Sequence, residues 1–120
     1  MKIIYLGDVV GKAGRNAVHG NLEELSRTFS PDFVIINGEN SAHGFGITGK
    51  ICRDFFKAGI DVITLGNHSW DQPDTAQYIA SEPRLLRPLN FPENTPGMGK
   101  GVFKTRKGQK ILVLQVMGQL

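Results

Sequence analysis

Residues 33 to 40 read Phe33-Val34-Ile35-Ile36-Asn37-Gly38-Glu39-Asn40. Four apolar, largely β-branched residues without polar alternation give way to a glycine set among amides and a carboxylate. Such a run fits a strand, Phe33 to Ile36, buried on both faces of a mainly parallel sheet and ending in a polar turn. The pattern recurs on either side. Ile3 to Leu6 is followed by Gly7-Asp8, and Val62 to Leu65 by Gly66-Asn67-His68, with Ser69-Trp70-Asp71 beyond.

Helical spacings fill the intervals. Ala17, Val18, Leu22, Leu25 and Phe29 recur every three or four residues and predict a helix that packs on the sheet and ends before Ser30-Pro31. A second helix begins around Thr48, presents Ile51, Phe55 and Phe56, and stops at Gly59. A third starts after Asp71, with Pro73 in its first turn, and runs to about Ser81 before Glu82-Pro83. The order is βαβαβα with right-handed crossovers, an α/β fold.

The remainder changes character. Arg87-Pro88 and the proline-rich segment Phe91 to Met98 predict an irregular loop. Val102 to Thr105, a turn at Lys107-Gly108 and the apolar run Ile111 to Met117 then predict a C-terminal β-hairpin. The sheet lacks the terminal helix or polar tail that usually closes such an edge, so a continuation beyond Leu120 is expected, with self-association through 111–117 as a further expectation.

A length of 120 residues allows one core, a single domain over 1–120, and excludes separate cofactor and substrate domains. Charged residues make up 21% of the chain, which excludes neither folding nor solubility but argues against disorder. Glycine is the outlier, 15 of 120 residues, well above the norm of about 7%. The net charge of +3 has no long runs behind it, and the basic stretch Lys100 to Lys110 reads as a solvated hairpin, so there is no specific nucleic-acid signal. Cys52 is alone, which suits a reducing cytoplasm. No apolar run approaches the ~20 residues of a membrane span.

In an open parallel sheet the carboxyl ends of the strands form one crevice. Gly7-Asp8, Asn37-Gly38-Glu39-Asn40 and Gly66-Asn67-His68 should therefore converge. Hard oxygen donors gathered in this way suit a divalent cation: Asp8 and Glu39 bring charge, one carboxylate is able to bridge two ions, and Asn40 and Asn67 bring neutral oxygens. His68 adds a proton donor. Singly, Asp8 also reads as a turn or N-cap residue, Asn67 as a left-handed turn residue and Glu39 as a solvated loop carboxylate. Three such clusters at three successive strand ends are what structural turns do not require.

These motifs resemble the calcineurin-like metallophosphoesterases, and among them the bacterial YmdB-type phosphodiesterases. Gly7 to Arg15, Asn37-Gly38-Glu39-Asn40, Gly66-Asn67-His68 with Trp70-Asp71, and Arg87 to Pro92 carry the likeness, which spans essentially the whole chain. The resemblance implies the N-terminal half of an αββα sandwich, with Asp8, Glu39 and Asn40 as ligands of one metal, Glu39 bridging, Asn67 on the second metal and His68 as proton donor. It further implies two divalent ions, iron foremost with manganese or magnesium as alternatives. A metal-bridging hydroxide then attacks phosphodiesters, cyclic nucleotides among them, while His68 assists the leaving alkoxide. Family members continue into a second half that brings histidine ligands, including a His-x-His pair. This chain has only His19, His43 and His68. His19 reads as a surface or packing residue, and the resemblance gives His43 no metal role. Weak or partial metal occupancy and weak or absent hydrolysis are the expectations for these 120 residues alone.

Two phosphate-binding look-alikes are set aside. Gly7 to Lys12 lacks the P-loop spacing, and Ala13 stands where a Ser or Thr is needed. Gly44-Phe45-Gly46-Ile47-Thr48-Gly49 fits GxGxxG but lies about eight residues beyond its strand, with no ribose-binding acid after it. Gly44 and Gly46 remain candidates for contacting a substrate phosphate through backbone amides. The competing class is a noncatalytic nucleotide-binding or interaction module that retains half of the fold, as a homo-oligomer or completed by another chain.

Overall fold

A computed structural model describes residues 1–118; Gln119 and Leu120 lie outside the described residues. Four strands, β1 (Ile3–Leu6), β2 (Phe33–Asn37), β3 (Val62–Thr64) and β4 (Leu85–Leu86), form one all-parallel sheet in sequential order. The helices α1 (Gly11–Phe29), α2 (Gly49–Ala58) and the short α3 (Thr75–Ile79) connect them. A separate antiparallel hairpin, β5 (Lys100–Lys104) and β6 (Lys110–Leu114), follows.

Both faces of the sheet are covered, which is why its central strands carry no polar alternation. On one face Val34, Ile36, Ile63 and Leu85 meet Val18 and Leu22 of α1 and Cys52 and Phe55 of α2. On the other, Phe33, Val62 and Leu86 meet Val113, Phe103 and Ile111 of the hairpin. Each fully buried side chain of this size stabilises the fold by about 1.5–3 kcal/mol. The resulting helix, sheet and hairpin layers are the mixed α/β arrangement expected from the sequence.

The hairpin is also tied at its turn. Arg106 donates to Asp61 Oδ2 at 3.0 Å and Lys107 pairs with Asp32 at 2.9 Å. Two cations of the basic stretch thus anchor the hairpin to the amino ends of β2 and β3. The irregular loop after β4 is ordered by Arg87, which is buried and donates to the carbonyls of Pro88 and Pro96.

Several boundaries differ from expectation. β1 was expected to be buried on both faces, but it is an edge strand, and Ile3 and Tyr5 are exposed. An open groove of about 390 Å³ runs beside it, lined by Tyr5, Leu6, Ala17 and Leu25 among others. For the same reason Ala17 is exposed although it lies on the predicted stripe of α1, and Phe29, at the end of that helix, is exposed too. α3 is shorter than predicted, because its N-cap is Asp74 and Pro73 precedes the cap. β4 was not predicted, and β6 ends at Leu114 rather than Met117. The caps of α2 are as expected: Thr48 accepts from the Ile51 N–H, and Gly59 adopts φ 109°.

Candidate functional site

The three polar clusters converge at the carboxyl end of the sheet because β1, β2 and β3 are parallel and in register, Leu6 beside Ile36 and Asn37 beside Thr64. The turns after them are stitched together through the backbone. Val9 N–H donates to the Asn37 carbonyl, Gly11 N–H to that of Asn40, and Gly38 N–H to that of Thr64.

Asp8 turns the chain out of β1 with φ 48°, a left-handed conformation uncommon outside glycine, asparagine and aspartate. It is not the N-cap of α1; that position is Val10, which makes no side-chain cap bond. Asn40 Nδ2 donates to Asp8 Oδ1 at 2.8 Å, so the amide of the second cluster holds the carboxylate of the first.

Glu39 is half-buried. Its Oε2 is buried and has no hydrogen-bond partner among the described residues. A Cβ built on Gly66 would overlap that same oxygen, so glycine at 66 leaves the space that the carboxylate fills. Burial pushes the Glu39 carboxyl above its ordinary value, with Asp8 adding to the rise, while His68 and the Asn67 N–H act in the opposite direction. A buried carboxylate oxygen without a donor is costly, and a cation would satisfy it. Glu39 is therefore not a solvated loop residue. Asn67 is not in a left-handed turn, and it is exposed.

His68 Nδ1 lies 2.6 Å from Asp71 Oδ2, and the ring meets the edge of Phe45 with centroids 5.2 Å apart. The sequence did not single out Asp71 as a partner; its position three residues beyond His68 within a turn was the available signal. His19 stacks on Phe55 at 5.5 Å, a packing role, and His43 is exposed in the glycine-rich loop. In that loop the Gly44 N–H donates to the Asn40 carbonyl. Gly46, at φ 76°, abuts the His68 carbonyl and Gln72. The first amides of α2 are also engaged, Gly49 by Asp74 and Ile51 by Thr48.

The donors present fit a hard divalent cation. All are oxygens, two are carboxylates, and the orphaned Glu39 oxygen is buried against Gly66. Among the described residues no three His, Cys, Asp or Glu side chains cluster closely enough to hold an ion by themselves.

Comparison with known proteins finds relatives over nearly the whole chain. A 2′,3′-cyclic-nucleotide 2′-phosphodiesterase of Bacillus subtilis (strain 168) is 44% identical over 119 residues, which are 99% of this chain and 45% of the relative. A crystal structure of a hypothetical protein from Thermus thermophilus superposes with a TM-score of 0.90 at 38% identity, covering 99% of this chain and 46% of that one. A structure described as a novel phosphatase of Mycoplasma pneumoniae gives 0.89 at 39%, covering 98% and 43%. The chain spans about half the length of the relatives it matches. The family model for YmdB-like protein matches residues 4–120, so the strand-end clusters stand within a shared fold and the chain belongs to the YmdB-like protein family.

Proposed function

We propose that this chain carries the amino-terminal portion of a metal-dependent phosphodiesterase site that acts on phosphodiesters such as cyclic nucleotides. The observation that carries the reading is the buried, partnerless Oε2 of Glu39, packed against Gly66 at the strand ends that also carry Asp8, Asn67 and His68. Asp8, Glu39 and Asn40 would hold one divalent ion and Asn67 a second, with Glu39 shared between them. Iron is the foremost candidate, with manganese and magnesium as alternatives. When bound, such ions neutralise phosphate oxygens and activate the attacking water.

The chain's own residues have separate tasks. Asn40 holds Asp8 in place, Gly66 leaves room for Glu39, and His68 delivers a proton to the departing alkoxide. Gly44 and Gly46 shape the loop that carries Phe45 toward His68, and a backbone contact from this loop to the substrate phosphate belongs to the same proposal. No helix among the described residues is long and apolar enough to cross a membrane. The lone buried Cys52, whose thiol burial pushes up, suits a reducing cytoplasm.

Hydrolysis of bis-p-nitrophenyl phosphate with added Mn²⁺ or Fe²⁺ tests the reading. Weak turnover that disappears in both Asp8→Ala and Glu39→Ala is expected; turnover indifferent to both overturns it. One observation favours a second reading, a noncatalytic nucleotide-binding module: the described residues hold no cluster of three strong metal-ligating side chains. Adding the polypeptide that corresponds to the rest of the longer relatives distinguishes the two. Restored hydrolysis supports the enzyme, and nucleotide binding indifferent to metal and to Asp8→Ala supports the module.

A further inference from the structure

The turn that follows β3 is wound tightly. Ser69 returns both its N–H and its Oγ to the Gly66 carbonyl, and the Asp71 N–H points back to that of His68. This winding places residues 68 and 71 side by side, and the Asp71 carboxylate takes His68 Nδ1 at 2.6 Å. An imidazole has two nitrogens. With Nδ1 occupied, Nε2 is the one left for any other partner.

A second clasp holds the ring from the opposite loop. Gln72 Nε2 donates to the Phe45 carbonyl at 2.6 Å, and the Phe45 ring stands at 86° to the imidazole. A Cβ on Gly46 would come within 3.1 Å of the His68 carbonyl and 3.0 Å of Gln72 Cγ, so the two loops touch without a spacer. The His68 and Asp71 side chains remain 29% and 38% exposed. A pair that open to water adds little to stability. Its consequence lies in orientation.

We propose that Asp71 is the positioning residue of His68, holding the imidazole by Nδ1 so that Nε2 is presented to the leaving oxygen of a phosphoester. This rests on the phosphodiesterase reading for its consequence, though not for the contact itself. Long-range ¹H–¹⁵N spectra of the His68 ring in the metal-free chain, with ring-to-ring NOEs to Phe45, read the contact directly. Asp71→Ala should lose the hydrogen-bonded Nδ1 signature and weaken the NOEs, while Asp71→Asn, which keeps an acceptor oxygen, should restore much of both. With Mn²⁺ and bis-p-nitrophenyl phosphate, Asp71→Ala should lower kcat about 10- to 100-fold and leave KM within about twofold. An unchanged ring spectrum in Asp71→Ala overturns the proposal. So does a lost signature with unaltered kcat in a protein whose turnover His68→Ala abolishes. If His68→Ala leaves turnover intact, the assignment of His68 as proton donor is what fails, and the ring spectra still decide whether Asp71 holds the imidazole.

Discussion

The carboxylate of Glu39 fills the space in which a side chain on Gly66 would begin. The two residues come from different strand ends, so the glycine is a condition for the carboxylate rather than a requirement of its own turn; its φ is not in the left-handed region. Gly66→Ala should push the Glu39 carboxylate aside and, because that is the far end of a flexible side chain, lower stability by only about 1 kcal/mol. Glu39→Ala removes the obstacle, so adding Gly66→Ala to it should cost much less. A double-mutant cycle by urea unfolding measures this coupling; additive effects would show that the two residues do not compete for one space.

Asp32 gives the fold an acid-sensitive joint. It is buried, and a hydrogen bond from Lys107, then one from the Lys2 N–H, hold its carboxyl below the ordinary range. The folded state therefore binds that proton more weakly than the unfolded chain. The stability it contributes is complete above the unfolded carboxyl value and is lost as pH falls through the lowered folded one. Lys107→Ala should move the acid-unfolding midpoint to higher pH, followed by circular dichroism. Superimposable acid transitions would contradict the assignment.

Leu86 joins two layers. It is fully buried in the short edge strand β4 and packs among Phe33, Val62 and Val113, beneath the hairpin. Leu86→Ala should cost about 2–5 kcal/mol through lost burial and the cavity left behind, a large share of the ~5–15 kcal/mol that holds a small domain together. Chemical denaturation of the variant checks it. The exposed Leu112, on the outer face of the hairpin, should tolerate the same change to within about 0.5 kcal/mol.

Much of this was legible in the sequence. Ile3 to Leu6 has the predicted bounds, and Thr48 and Gly59 announce the two ends of α2 because capping is a local property. Local signals fail where tertiary placement decides. Nothing within Ile3-Ile4-Tyr5-Leu6 says that β1 lies at an edge, and Leu85-Leu86, set between Arg84 and Arg87-Pro88, is too short to show any period. At the site, the residue types and their positions after each strand were readable. The burial of one Glu39 oxygen and the grip of Asp71 on His68 were not, because both depend on side-chain direction across neighbouring turns.

The most direct test of the cation site is calorimetric titration of Mn²⁺ into the native chain and into Glu39→Gln, which replaces the carboxylate with a neutral amide of the same shape. Native binding should be weak but measurable, and the variant should bind at least tenfold less tightly, a loss of about 1.4 kcal/mol or more. Equal affinity in the two proteins would contradict the account, since the buried oxygen of Glu39 would then have no part in holding a metal.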